Sequence, residues 1–182
     1  RFDLRPEEMR RRNVIALVLD EGQKTTLVSE DGFSDHLAVD ELREAGVCVP
    51  EPYVFLDGVL LMELVTDVDG NPAPRLCDVT LDEPTALATF DFLLGEVVRM
   101  LCAGVVHGDL SDFNVLIGAD GPVIIDFPQA TDPAANQSAQ KLLVRDVDNL
   151  VSFFARFAPE LKGMNFGEEM WDLYASGRLV PG

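Results

Sequence analysis

The run Val14-Ile15-Ala16-Leu17-Val18-Leu19 is apolar and of strand length, and a polar turn at Asp20-Glu21-Gly22-Gln23 leads to a return at Thr25-Thr26-Leu27-Val28. This pattern predicts a hairpin. Before it, Pro6-Glu7-Glu8-Met9 opens like a short peripheral helix with proline in its first turn, ending before Asn13. A helix is expected from about Asp35 to Glu44, with Leu37 and Glu41 one turn apart and Gly46 as its stop. Pro50 and Pro52 then impose extended chain. Tyr53-Val54-Phe55-Leu56, the turn Asp57-Gly58 and Val59-Leu60-Leu61-Met62-Glu63-Leu64 follow as a second hairpin, with Asp-Gly as its type I′ signal.

Between Thr66 and Pro84 the pattern turns polar and carries Gly70, Pro72, Pro74 and Pro84, so a hinge is expected near Glu63 to Thr66. Beyond it the period changes. Leu87, Phe90, Leu94, Val97, Val98 and Leu101 recur at helical spacing and Gly104 closes the run, which predicts a long buried helix. Two short strands, around Val115-Leu116-Ile117 and Val123-Ile124-Ile125, flank the turn Asp120-Gly121. Leu142, Leu143, Val147, Leu150, Val151, Phe154 and Phe157 mark one further helix; Met170, Leu173 and Tyr174 mark another that stops at Gly177. Strands first and helices later predict a two-lobed α+β domain, with residues 1–65 as an N-terminal lobe and 66–182 as a mainly helical C-terminal lobe.

Composition narrows the class. The chain has 182 residues, 47% hydrophobic and 25% charged, without low-complexity tracts, which is the profile of a folded soluble protein. Its longest apolar runs are too short to span a bilayer, so no membrane partner is expected. Net charge is −18, from 32 acidic and 14 basic residues, which disfavours a broad nucleic-acid surface. The basic cluster Arg5, Arg10-Arg11-Arg12 reads as a solvated helix face. Cys48, Cys77 and Cys102 are an odd number without metal-ligand spacing, so neither a disulfide framework nor a zinc site is indicated and a cytoplasmic setting is expected. The N-terminus has neither an initiator Met nor an apolar signal core, so truncation is expected rather than a secretion signal.

The chemistry concentrates in Val106-His107-Gly108-Asp109-Leu110-Ser111-Asp112-Phe113-Asn114 and Ile124-Ile125-Asp126-Phe127. Asp109 and Asn114 lie five positions apart in one loop, and Asp126 follows twelve positions later at the end of an apolar strand. Phosphoryl transfer needs a carboxylate to orient the acceptor and oxygen ligands for a hard divalent cation, all held rigidly. Taken singly, each of these residues is an ordinary turn or cap residue. Together, in this order, they read as a metal and phosphoryl-transfer centre. His107 is read as holding backbone rather than as a base, and Ser111 as a loop-capping hydroxyl before a phosphoacceptor or metal neighbour.

His107-Gly108-Asp109-Leu110-Ser111-Asp112-Phe113-Asn114 with Ile125-Asp126-Phe127-Pro128-Gln129-Ala130 resembles the RIO family of atypical protein kinases; Pro128 stands where ordinary kinases have the glycine of Asp-Phe-Gly. The similarity extends to Val49-Pro50-Glu51-Pro52-Tyr53, Leu61-Met62-Glu63-Leu64-Val65 and Arg145-Asp146-Val147-Asp148-Asn149-Leu150. The resemblance implies a two-lobed protein-kinase-like fold with a reduced or truncated N-terminal β lobe. It implies ATP and Mg2+, or Mn2+, as cofactors, Asp109 as catalytic aspartate, and Asn114 and Asp126 as metal ligands. It further implies Met62, Glu63 and Val65 in the strip facing adenine through backbone amides, and Asp126 as a candidate for transient phosphorylation. Asp148 is expected to cap or support the last helices. A protein substrate or a ribosomal assembly particle is the partner the resemblance implies.

The resemblance weakens before Pro50. No Gly-rich phosphate loop is legible there, and Lys24, the only lysine in that stretch, reads as a solvated strand-edge residue. Gly22 and Gly32 read as turn glycines, while Asp35 and Glu41 are candidate helix partners for a phosphate-binding lysine. Two alternatives to a serine/threonine kinase or ATPase therefore stay open: a pseudokinase-like binding module and a small-molecule phosphotransferase of aminoglycoside or choline type.

Overall fold

A computed structural model describes residues 14–18, 35–56 and 59–181. Strands β1 (Val14–Val18), β2 (Pro52–Leu56) and β3 (Val59–Glu63) form an antiparallel sheet in the order β1-β3-β2. The hairpin expected over residues 53–64 is present as β2 and β3, with a register irregularity between Pro52 and Val54. Proline cannot donate to a ladder, so the break falls at the first residue of its strand, where it costs least. The turn Asp57-Gly58, the return strand at 25–28, the helix at 6–9, the basic cluster and Lys24 lie outside the described residues. The described partner of β1 is the distant β3, in register from Val14↔Glu63 to Val18↔Val59.

Helix α1 (Asp35–Glu44) ends as its sequence predicts. Val47 N–H donates to Leu42 C=O and Gly46 N–H to Arg43 C=O, each at 2.9 Å, the paired bonds of a Schellman cap. Glu41 is exposed. In the following segment Cys48 is tied to two distant elements: Cys48 N–H donates to Glu96 Oε2 at 2.7 Å, and Ile124 N–H donates to Cys48 C=O at 2.9 Å. Glu96 is fully buried, and its Oε1 lies 3.3 Å from the Arg99 guanidinium, which supplies the countercharge that a buried carboxylate needs.

Helix α2 (Glu83–Cys102) starts with Asp82 accepting the Thr85 N–H at 3.0 Å and Pro84 in the first turn. Its apolar face buries Phe90, Leu93, Val97, Met100 and Leu101 against α3 (Ala139–Phe154) and α4 (Phe166–Ala175). The Phe90 ring packs 5.5 Å from Phe154 and 5.4 Å from Phe166, tying all three helices to one aromatic cluster. A Cβ on Gly167 would stand 2.9 Å from Val144 Cα, so glycine permits the close crossing of α4 over α3. The α3 periodicity was expected to include Phe157, which instead follows the helix, because α3 is capped at Ala155. In α4, Met170 is buried and Leu173 is exposed.

The polar stretch 66–84 is built of bridges and a 3-10 turn at Leu76–Asp78 rather than long elements. It lies against the two-stranded β4 (Val115–Gly118) and β5 (Gly121–Ile124), so the second strand starts two residues before the expected Val123. Among the described residues no helix is long and apolar enough to cross a membrane.

Candidate active site

The loop carrying Asp109 leaves α2 through Gly104, whose φ of 81° suits the helix stop, and passes through the buried Val105 and Val106. Val106 and Thr131 exchange backbone hydrogen bonds in both directions at 2.9 Å. This bridge closes residues 107–130 into one unit, so the loop, the β4–β5 hairpin and the Asp126 segment are fixed to each other.

His107 fills the base of that unit at 1% exposure. Its Nε2 lies 3.1 Å from Ile125 C=O, and Asp109 N–H reaches Nδ1 at 3.3 Å. Burial depresses its pKa to about 4, so the ring is neutral. Nδ1 accepts, so the proton sits on Nε2 and is donated to Ile125. The imidazole also packs 4.7 Å from the Phe127 ring. His107 thus joins the Asp109 loop to the Asp126 segment, which is the backbone-holding role its sequence context suggested. Gly108 is confined by two facts: its φ is 82°, and a Cβ there would stand 2.4 Å from the Gln129 carbonyl oxygen.

Helix α3 grips the loop from below. The buried Asp146 carboxylate accepts Gly108 N–H at 2.8 Å and Leu110 N–H at 3.0 Å, the amides on either side of Asp109. Arg145 donates to Gly108 C=O, and Asn149 Nδ2 donates to Leu110 C=O at 2.9 Å. Burial raises the Asp146 pKa to about 6 against the lowering effect of those two amides. Asp148, expected to cap or support the last helices, is an exposed residue inside α3, where no helix end needs a cap; Asp146 is the supporting carboxylate. A signal for it existed: Asp146 sits on the apolar face with Leu143, Val147 and Leu150, where a charged residue is out of place unless paired. A cavity of about 500 Å³ lies along the outer side of α3, lined by Lys141, Arg145, Asp148, Asn149 and Glu168.

Asp109, Asn114 and Asp126 come together above this support. Asn114 Nδ2 donates to Asp109 C=O at 2.9 Å, which leaves its Oδ1 as an available acceptor. Asn114 C=O accepts Ile125 N–H at 3.0 Å, and Ser111 caps the turn by accepting Asn114 N–H on its carbonyl at 3.0 Å and Phe113 N–H on its hydroxyl at 3.4 Å. Asp126 has a φ of 70°, the sole positive value at a non-glycine residue among those described, and this kink turns the chain out of β5. Asp126 is exposed on one side, yet the protein packed around the other raises its pKa, and the negative charge of Asp109 raises it further. The Arg75 guanidinium works against both. Arg75 was not among the sequence-based candidates, because a lone arginine in a Pro-rich stretch carries no motif.

The hinge residues Met62, Glu63 and Val65 are all partly buried. Glu63 N–H is used by Glu51 C=O at 2.8 Å and Val65 C=O by Ala73 N–H at 3.0 Å, while Val65 N–H has no hydrogen bond among the described residues. All three cysteines are free thiols. No group of three or more His, Cys, Asp or Glu side chains among the described residues is arranged to hold a metal ion by itself. Magnesium does not require one: it typically takes one or two carboxylates and completes its shell with water and phosphate oxygens. Asp126 beside the free Asn114 Oδ1, with unrelieved negative charge from Asp109, fits that donor set.

A helix-clamped loop bearing one carboxylate, followed by a hairpin that delivers a second, belongs to the kinase-like class that the RIO domain defines. Residues 24–166 match the RIO domain family model, and the chain belongs to this family. It is 35% identical over 125 residues to the RIO-type serine/threonine-protein kinase Rio1 of Haloferax volcanii, covering 69% of this chain and 42% of the relative. It is 34% identical over 119 residues to Rio1 of Thermoplasma acidophilum, covering 65% and 60%. Human serine/threonine-protein kinase RIO1 matches at 34% over 116 residues, covering 63% and 20%. The aligned part is thus less than two thirds of each relative's length.

Proposed function

We propose that the chain carries out phosphoryl transfer from ATP, as a RIO-type serine/threonine kinase or as an ATPase. The observation that carries this reading is the loop fixed by Asp146, whose Asn114 is bonded both to the Asp109 carbonyl and to the Ile125 amide beside Asp126, so that two carboxylates and an amide are held together. Like charges held together at a cost are a sign of a site awaiting a cation. Asp126 and Asn114 Oδ1 are the residues that would hold Mg2+ or Mn2+, which when bound supplies charge neutralisation at the phosphates.

Asp109 orients the acceptor hydroxyl or water and takes its proton. As the acceptor oxygen bonds to the γ-phosphorus, the bond from that phosphorus to the bridging oxygen breaks and ADP leaves. Met62 to Val65 face the adenine, with the Val65 N–H as the amide available to it. Residues 1–65 and 66–182 act as the two lobes around the nucleotide. Resemblance to RIO proteins supports a protein substrate or a ribosomal assembly particle as partner, and the three free cysteines support a cytoplasmic location.

Calorimetric titration with ATP in the presence and absence of Mg2+ tests this reading. Metal-dependent binding by the wild type, lost in Asp126→Ala, is the expected result. Metal-independent binding or none would leave the binding-module reading in its place, and turnover on aminoglycosides or choline but not on proteins or water would favour the small-molecule one.

A further inference from the structure

We propose that Arg75 is a phosphate-binding residue of this site, the cation that meets the polyphosphate of the nucleotide between the hinge and Asp126. The proposal rests on the nucleotide reading above and adds to it a residue that neither the motifs nor the family resemblance assigned.

The placement comes from the backbone. Arg75 pairs with Leu116 in an isolated antiparallel bridge, Ile117 N–H donates to Pro74 C=O at 2.8 Å, and Cys77 N–H donates to Asp112 C=O at 3.1 Å. Residues 74–77 are thereby laid along the free edge of β4 and pinned to the Asp109 loop. Side chains alternate across such a ladder. Leu76, Val115 and Ile124 are each fully buried and form the core face. The alternation then sets Arg75 with Leu116, and Asn114 two positions before it, on the opposite face, which opens toward the site. Arg75 is exposed there.

Among the described residues the Arg75 guanidinium forms no ion pair and no hydrogen bond, although Asp126 lies within reach of its field. Arg145, the other arginine at this loop, is committed to the Gly108 carbonyl. An arginine held by its backbone on the strand face that carries Asn114, and not closed onto Asp126, sets positive charge beside the candidate metal ligands. A polyphosphate has the charge and the planar oxygen pairs that a guanidinium fork recognises. Arg75 would meet the phosphates directly, while Asp126 and Asn114 would hold the divalent cation that neutralises them.

The test compares adenosine with Mg·ADP and Mg·ATP, by calorimetry or competition, on the full chain and on Arg75→Ala and Arg75→Lys. The expected result is a loss of about tenfold for both phosphorylated ligands in Arg75→Ala, the scale of one charge-assisted hydrogen bond, with adenosine unchanged and part of the loss recovered in Arg75→Lys. Wild-type affinity for Mg·ATP should also fall more steeply with salt than that of Arg75→Ala. Equal affinities for Mg·ATP in wild type and Arg75→Ala would overturn the assignment while leaving the nucleotide reading intact. A parallel loss for adenosine would overturn it too, by making Arg75 structural. A wild type that binds neither adenosine nor nucleotides would remove the nucleotide reading itself, and this assignment with it.

Discussion

The buried carboxylate of Asp146 accepts the backbone N–H of Gly108 at 2.8 Å, from a helix thirty-eight positions further along the chain. With the companion bond to Leu110, this holds the amides of the two residues that flank Asp109 and leaves the Asp109 side chain untouched. Rigidity around the candidate catalytic carboxylate is therefore supplied by α3 as well as by the loop's own His107 and Asn114.

Replacing Asp146 should separate the two bonds. Asp146→Ala leaves two buried amides without acceptors, and a loss of about 2–5 kcal/mol is expected from urea unfolding. Asp146→Asn keeps one acceptor oxygen and should lose about half as much. Phosphate release from ATP should fall in the same order, and retention of full turnover in Asp146→Ala would show that the loop holds its shape without α3.

Asp146 and His107 titrate in opposite senses. Folding lifts Asp146 from 3.8 to about 6, so its contribution is fully present below pH 3.8 and is lost as pH rises through 6. Folding lowers His107 from 6.5 to about 4, so its contribution is present above pH 6.5 and is lost as pH falls through 4. Each amounts to about 3 kcal/mol at 1.36 kcal/mol per pKa unit. The two slopes oppose each other between pH 4 and 6. Asp146→Asn should uncover the His107 slope, with urea midpoints climbing from pH 4 to 6.5 more steeply than in wild type; parallel profiles would place the titration elsewhere.

Gly108→Ala should fail at the backbone. The positive φ costs about 1–2 kcal/mol with a Cβ, and the 2.4 Å approach to Gln129 C=O requires main-chain movement in addition. Because the colliding atom belongs to the backbone, Gln129→Ala should not rescue it. Thermal melts of the single and double variants check this.

Asp126 offers a contrast between stability and activity. Asparagine tolerates its φ of 70° and carries no charge to repel Asp109, so Asp126→Asn should fold at least as well as wild type while losing metal-dependent ATP binding. Wild-type Mg2+ affinity should weaken on acidification at a pH above the ordinary Asp range, since protons compete at a carboxyl whose pKa is raised. Differential scanning calorimetry with and without Mg·ATP reads both effects.

Phe90 joins α2 to Phe154 of α3 and Phe166 of α4. Phe90→Ala should cost about 3–5 kcal/mol in chemical denaturation, because three helices lose one shared packing centre.

The sequence by itself determined most local elements and singled out the candidate centre. Helical spacing from Leu87 to Leu101, the stops at Gly46 and Gly104, and the β4–β5 hairpin are local consequences of side-chain period and backbone freedom, and they are present, with β5 beginning two residues earlier than read. The Asp109, Asn114 and Asp126 set was legible because its members share one short stretch with a motif spacing. Tertiary structure alone decided the rest. The pairing of β1 with β3, the latch from Cys48 to Glu96, the choice of Asp146 over Asp148 as the supporting carboxylate, and the bridge that lays Arg75 beside Leu116 all join residues far apart in the chain. Such contacts depend on which buried polar groups find partners once the helices pack, and no local periodicity encodes that outcome.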